Sequence, residues 1–588
     1  MSSSNEQIYG NSQKPYGFEL VADTLIKQGV ECVFTMPGNS IISLLATLGQ
    51  KRIKVVGARS EQGAVLAATG YSISSGKVGV AIVTAGYMSI AHYAMLNASW
   101  GHVPVVMIAG SNETYSDDMR SLQELDQKPI AKSAYVKVAY HVIKGERIPQ
   151  MLTWAFKAAQ SGVQGCAFID IAQDVLKSQV DASKISDFTA CMVDAKPHGD
   201  PTLIKKAVKL LAGAEKPIIN VGRLAVASGA AKEIKEFVEI TGIPVDNCMG
   251  TLGSHPLNMA IAVGNGAEVV LMLGKQNLGM KPQPTACQYT GKIISVYPEA
   301  ENIGHCYPVA IGIVGDIKMV LQQLIEEAKI VKFPDYSTWV QELHALRDAG
   351  KAMFVGIAEN HKDNKPIHPA LLAKETVEFM LDHKINKDAV ISADGGDCTF
   401  WYAVFSGSYG VPQEYPGQLI SILSIENGTA IGLGLGMAVG ATCAQPGKLL
   451  YMPALGDGSI GYHLSELETL VRLNVPALIV VANNSCWGMT YADQRRIYGR
   501  NERTAGFLTN NVRYEKVAEG LGCIAGDFVT EPGNIRSALE KAYKTALRES
   551  KPVVVNVITD PFIYNIPWAN WTLPATEKGE PYTAMGEA

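Results

Sequence analysis

The stretch that most restricts how this chain can fold runs from Leu450 to Asn484. Leu450 to Leu455 has the length and composition of a buried strand, and it ends in Gly456-Asp457-Gly458-Ser459. His463 to Leu473 then sets Leu464, Leu467, Leu470 and Val471 on one helical face, and Leu478 to Ala482 is a second buried strand closed by Asn483-Asn484. A strand, helix, strand unit returns the chain parallel to itself, so Asp457 and Asn484 emerge together at the carboxyl edge of one sheet, where ligands of open α/β sheets bind. Asp457 offers an anionic oxygen and Asn484 a neutral amide oxygen, while the glycines let backbone N–H groups approach a phosphate. That set suits Mg²⁺ or Ca²⁺ carrying a diphosphate. Taken singly, Asp-Gly is a turn and Asn-Asn a loop; the pairing and the element between them point to a ligand.

At 588 residues the chain exceeds a single core and suggests three domains. Val55 to Asp170 alternates apolar strands, Gly79 to Thr84 and Val103 to Ala109 among them, with helical segments. Ala389 to Val557 does the same, and between them Pro201 to Leu324 carries strands of its own at Pro217 to Gly222, Val269 to Gly274 and Lys292 to Val296. The expected class is α/β with three doubly wound parallel-sheet domains, at 1–187, 200–330 and 367–560, a polar linker at 331–366 and a tail at 561–588. A net charge of −5 without a basic cluster argues against nucleic acid. With no long apolar run, no leader at the polar start and ten scattered cysteines lacking Cys-x-x-Cys spacing, the expectation is a cytoplasmic protein with reduced thiols and no membrane partner.

The Gly456-Asp457-Gly458 to Asn483-Asn484 arrangement closely resembles the thiamine diphosphate motif. The resemblance implies that Asp457, Asn484 and the backbone carbonyl of Cys486 hold Mg²⁺, with Gly456, Gly458, Ser459, Trp487, Gly488 and Met489 around the diphosphate. Such a cofactor needs a carboxylic acid to drive its aminopyrimidine into the imino form. Arg59-Ser60-Glu61-Gln62-Gly63-Ala64 resembles the corresponding segment of the acetohydroxyacid synthase and benzaldehyde lyase group, which makes Glu61 that acid; the alternative is a helix-start glutamate stabilised only by the helix dipole. The run Glu426 to Gly436 resembles the family stretch that bends the cofactor, giving Ile431 the role of wedge and the Thr429 carbonyl that of hydrogen-bond acceptor. On its own it reads as a glycine-rich turn. Pro37, Gly38 and Gly396 complete the cofactor contacts that the resemblance implies. It also names the domains: pyrimidine-binding, central and diphosphate-binding.

Thr84 to Met88, Leu122 to Gln127 and Gly456 to Met489 look most like benzaldehyde lyase, with oxalyl-CoA decarboxylase and 2-hydroxyacyl-CoA lyase next; the similarity runs from about Phe18 to Asp560. Gln123 stands where that group has an active-site glutamine, or else is a solvated loop residue. Gly38-Asn39-Ser40 departs from the family's Gly-Ala-His, so the usual proton-relay histidine is missing, and neither Asn39 nor Ser40 is a strong base near neutral pH. His92 and His463 are the substitutes, each with a structural histidine as its alternative. Asn39, Ser40, Tyr87 and Met489 are the expected pocket residues. Glu414 to Glu426 contains no lysine or arginine to meet the phosphates of CoA, although Arg223 and Lys275 leave a nucleotide site in the central domain open. The implied function is a thiamine diphosphate- and Mg²⁺-dependent lyase or carboligase acting on a 2-hydroxyketone or 2-oxo acid with an aldehyde, in a homodimer or homotetramer whose chains share each site. The alternatives are a decarboxylase, an acyl-CoA lyase and a non-catalytic relative that only binds the cofactor.

Overall fold

The computed structural model describes residues 14–186, 195–246, 255–259, 266–275, 291–305, 307–409, 411, 419–421, 430–499 and 506–564. Thr429 and the tail beyond Tyr564 lie outside them. Three parallel sheets carry the chain. The first contains β1 (Cys32–Met36), β2 (Lys54–Gly57), β3 (Gly79–Val83), β4 (Val105–Ser111), β5 (Ala139–Val142) and β6 (Cys166–Ala172), ordered β2-β1-β3-β4-β6-β5. The second contains β7 (Pro217–Val221), β8 (Val245–Asp246), β9 (Val269–Leu273), β10 (Lys292–Tyr297) and β11 (Ile311–Val314), ordered β11-β10-β9-β7-β8. The third contains β12 (Val390–Asp394), β13 (Leu419–Ser421), β14 (Leu450–Gly456), β15 (Ala477–Asn483), β16 (Ile524–Val529) and β17 (Pro552–Ile558), ordered β13-β12-β14-β15-β17-β16. Every residue of β4, β6 and β15 is buried, as strands covered by helices on both faces must be. The expected α/β class and the strands named from the sequence are all present, with ends shifted by a residue or two.

Two expectations change. The connection between β14 and β15 is not one helix over His463 to Leu473 but two, Asp457–His463 and Glu466–Arg472. The first starts directly at the strand end, and its inward residues include Ser459, Ile460 and His463, so no leucine repeat announces it. The stretch expected as a linker holds a 24-residue helix, Ser337–Asn360, which buries Trp339, Leu343, Ile357 and Ala358. Among the described residues no helix is long and apolar enough to cross a membrane. Cys32, Cys166, Cys398, Cys443, Cys486 and Cys523 are free thiols.

The chain divides into two compact units, Met1–Ala195 with Gly436–Pro446, and Lys196–Leu435 with Gly447–Ala588. Within the first unit, the helix Glu61–Ser75 meets the segment from Gly436 onward backbone to backbone. A Cβ on Gly440 would stand 1.6 Å from the carbonyl oxygen of Ala67, and one on Gly70 1.9 Å from that of Met437. Neither carbonyl can withdraw without breaking its helix. Gly440→Ala is therefore expected to cost about 3 kcal/mol as overpacking, read as a lowered urea midpoint; an unchanged midpoint would show that the crossing can relax.

Candidate cofactor site

In the second unit, the ends of β12, β14 and β15 reach one level. Asp394 pairs with Leu455, Gly456 with Ala482, and Asn483 with Ile558 of β17. Beyond that edge lies a cavity of about 220 Å³ whose lining includes Gly396, Ile431, Gly456, Asp457, Gly458, Ser459, Asn484, Cys486, Trp487, Gly488 and Met489. The fold thus gathers the cradle residues named from the sequence, Thr429 aside, around one space. Glycines make the cavity possible. A Cβ on Gly458 would meet the Trp487 ring at 2.5 Å, one on Gly396 the Met489 sulfur at 2.8 Å, and one on Gly488 the Asn484 amide nitrogen at 2.9 Å. The Asn484 loop is fixed from behind: Asn483 Oδ1 accepts from Ser485 N at 3.1 Å, while its Nδ2 donates to Val512 O and Asn556 Oδ1. Ser485 takes a left-handed φ of 54°, the strain of a tight turn held by its neighbours.

Asp457 is buried, and its two oxygens fare differently. Oδ1 accepts from Gly458 N at 2.9 Å, but Oδ2 has no hydrogen-bond partner. Burial pushes this carboxyl up to about 7, against the pull of backbone N–H groups of Gly458, Ser485 and Cys486. An orphaned, buried carboxylate oxygen facing a cavity is a costly arrangement for which a cation is the natural partner. Asn484 Oδ1 accepts from Cys486 N at 3.1 Å and retains a second lone pair. Among the described residues no group of three or more His, Cys, Asp or Glu side chains gathers for a metal. A cation here would rely on Asp457, on neutral oxygens of Asn484 and Cys486, and on the ligand itself.

His463 closes the helix behind this loop. It is 4 % exposed, its Nε2 has no partner, and burial lowers its pKa to about 4. A neutral imidazole this deep reads as structural rather than substrate-facing. Because the unfolded residue titrates near 6.5, stability should rise with pH between about 4 and 6.5 by roughly 3 kcal/mol from this group, then level off. Thermal melts across that range should show the rise, and His463→Leu should flatten it.

The first unit holds the other candidates. Glu61 opens the helix Glu61–Ser75, whose Ser60 cap accepts from Gly63 N at 2.9 Å. It is not the exposed helix-start glutamate of the alternative: it is 7 % exposed, and desolvation raises its pKa above 4.5. At the carboxyl ends of β1, β3 and β4, Ser40 Oγ lies 2.9 Å from Thr84 Oγ1 and accepts from Ala85 N at 3.0 Å, so its hydroxyl is occupied in joining two loops. Gly38 presses on Thr84, and Gly86 on the backbone of Gln123, which is exposed with a left-handed φ of 64°. Pro37, Asn39 and Tyr87 are exposed near these loops. His92 pairs through Nε2 with Ser133 Oγ at 2.9 Å.

Family models for the thiamine pyrophosphate enzymes match three successive parts of the chain: the N-terminal TPP binding domain at residues 16–130, the central domain at 204–324 and the C-terminal TPP binding domain at 394–557. The chain belongs to the thiamine pyrophosphate enzyme superfamily. Relatives span nearly its full length. It is 28% identical over 577 residues to a probable acetolactate synthase large subunit of Methanococcus aeolicus, covering 93% of this chain and 92% of the relative. It is 29% identical over 578 residues to a 2-hydroxyacyl-CoA lyase of Arabidopsis thaliana, covering 93% and 96%. The acetolactate synthase isozyme 3 large subunit of Escherichia coli is 27% identical over 571 residues, at 92% and 95%.

The residues lining this cavity fit the diphosphate end of the cofactor of a thiamine pyrophosphate enzyme if a cation accompanies it: the orphaned Asp457 oxygen and the Asn484 amide would meet the cation, and the floor of glycines leaves room for phosphate oxygens. The cavity is also lined by Pro369, Asp397, Cys398, Thr490, Thr559 and Asp560, which the sequence reading did not single out. Strand-end position was the available signal for two of them. Asp397 follows β12 after two glycines, and Asp560 follows β17 by two residues.

Proposed function

We propose that the protein is a Mg²⁺- and thiamine diphosphate-dependent lyase or carboligase that breaks or makes a C–C bond next to a carbonyl, taking a 2-hydroxyketone or 2-oxo acid and an aldehyde. The observation that carries this reading is Glu61, a buried carboxyl with a raised pKa at a helix start inside the N-terminal TPP binding domain. A carboxyl whose charged form is disfavoured by burial holds its proton more tightly than an exposed one and can hand it to a ring nitrogen. Asp457, Asn484 and the Cys486 carbonyl would hold the cation, and the N–H groups of the Gly456–Ser459 turn would face phosphate oxygens. Ile431 would supply bulk beneath the cofactor. Bound thiamine diphosphate supplies a nucleophilic carbon and an electron sink. Gln123 would orient the substrate carbonyl by hydrogen bonding, while Tyr87 and Met489, 43 % and 37 % exposed, would offer it apolar surface.

The protein is proposed to work in the cytoplasm as a homodimer or homotetramer, Glu61 of one chain serving the diphosphate cradle of another. Tyr115, Met119 and Leu122 support association, being 72 %, 71 % and 85 % exposed beside Gln123 in the first unit. Sedimentation with a parallel assay should show activity disappearing on dilution to monomers. The decisive experiment incubates the protein with Mg²⁺, thiamine diphosphate and a panel of aldehydes, acyloins, 2-oxo acids and 2-hydroxyacyl-CoA thioesters, and identifies products by mass spectrometry. Acyloin formation or cleavage supports the reading. Thioester cleavage would favour the second reading, that of the relatives named 2-hydroxyacyl-CoA lyase, and CO₂ release alone would make the protein a decarboxylase. No product from any substrate would leave a cofactor-binding protein without catalysis.

A further inference from the structure

The loops that carry Asp457 and Asn484 leave different strands, β14 and β15, yet one short stretch of chain, 506–515, holds both. Trp487 N donates to Gly506 O at 2.7 Å and Leu508 N to Ser485 O at 2.8 Å, an antiparallel bridge that sets Cys486 opposite Phe507. Asn511 N donates to Ser485 Oγ at 3.0 Å, and Val512 O accepts from Asn483 Nδ2 at 3.0 Å. Two residues on, the buried Tyr514 hydroxyl donates to the main-chain oxygen of Asp457 at 3.1 Å. One stretch thus grips the chain on either side of Asn484 and the backbone of Asp457 itself.

A buried polar network anchors that stretch. Asn556 of β17, wholly buried, donates from Nδ2 to Val512 O and to Glu515 Oε2, both at 2.9 Å, while its Oδ1 accepts from Asn483 Nδ2 at 3.2 Å. Glu515 is 1 % exposed, and its other oxygen accepts from Arg513 Nε. Each side-chain nitrogen and oxygen of Asn483, Asn556 and Glu515 therefore has a partner, and a buried network satisfied throughout is stiff. Asp457 Oδ2, at the cavity, is the contrast: it has none. Such stiffness bears on which ion the loops can hold. Mg²⁺ demands near-ideal octahedral ligands at about 2.0–2.1 Å, whereas Ca²⁺ takes oxygens at about 2.3–2.6 Å in variable geometry, so a frame that keeps two ligand loops from spreading favours the smaller ion.

We propose that Tyr514 and Asn556 are positioning residues that lock the spacing of the Asp457 and Asn484 loops and so make the cradle select Mg²⁺ over Ca²⁺. This rests on the reading of Asp457, Asn484 and the Cys486 carbonyl as cation ligands. Neither Tyr514 nor Asn556 lines the cavity, so substituting them leaves every proposed ligand in place. The test holds thiamine diphosphate at a fixed concentration and titrates Mg²⁺ or Ca²⁺ into wild type, Tyr514→Phe and Asn556→Ala. Tryptophan fluorescence follows binding, with Trp487 beside Gly458 as the local reporter, and urea midpoints are measured without ligands. Wild type is expected to bind Mg²⁺ about 10-fold or more tightly than Ca²⁺. Tyr514→Phe should weaken Mg²⁺ about 5-fold, the size of one lost hydrogen bond, and leave Ca²⁺ within twofold; Asn556→Ala should narrow the preference further. A merely structural role would lower the urea midpoint without moving the ratio of the two affinities. An unchanged ratio in Tyr514→Phe, or a wild type that binds both ions alike, overturns the inference. If Asn556→Ala does not fold, Tyr514→Phe decides alone. A wild type that binds the cofactor with neither ion would instead remove the cation and cofactor reading.

Discussion

Glu61→Gln is expected to yield a folded protein whose turnover falls by about 10³-fold, within the usual range for loss of a placed acid or base. Glutamine fits the same space at the helix start but has no proton to give. Stability should move the other way. Because desolvation raises the Glu61 pKa above its ordinary 4.5, the folded state holds this proton more tightly than the unfolded chain. Wild-type stability therefore declines as pH climbs from about 4.5 through the raised value, and the cost is complete above it. Glu61→Gln should remove that decline and be at least as stable as wild type at pH 8, while the two differ least below pH 4. Urea midpoints at both ends of the range, beside product assays, examine both halves. Turnover within a few-fold of wild type would sink the assignment of Glu61, and a variant less stable at pH 8 would mean that the carboxylate is paired after all.

The second large effect is expected at Asp457. Wild type should gain about 2.7 kcal/mol when Mg²⁺ and thiamine diphosphate are present at about 100 times Kd, seen as a raised Tm that a chelator reverses. Asp457→Asn should lose nearly all of that gain, since an amide cannot replace the anionic oxygen at a hard cation. Without ligands, the same variant should be no less stable than wild type at pH 8, because it no longer buries a charge whose Oδ2 lacks a partner. A wild type insensitive to the pair of ligands, or a variant that responds equally, would refute the cradle.

Much of this molecule is written locally. Central strands of parallel sheets are buried on both faces, so β4, β9 and β15 appear as bare apolar runs, and the crossover rule then puts Asp457 and Asn484 at one edge. Glu61 was singled out by the resemblance of its Arg59–Ala64 segment, and what the structure adds is its burial at the start of the helix Glu61–Ser75. Other features depend on partners far along the chain. Asp394 is one acid at the end of one strand until Gly432 and Gly434 fold back onto it. Thr559 and Asp560 reach the cavity only because β17 lies beside β15. The helix Asp457–His463 went unseen because glycines and serine, not leucines, make up its opening turn. Ser337–Asn360 was hidden by a polar composition that buries only four of its residues.

The crossing at Gly70 and Gly440 also says where the molecule can be redesigned. Contact there is made by peptide groups, so no choice of side chain can tune it and any addition distorts it. Libraries seeking a new substrate range should leave 66–70 and 436–440 untouched. They should vary the proposed pocket residues Tyr87, Gln123 and Met489 instead, whose side chains stand exposed on loops or a helix end.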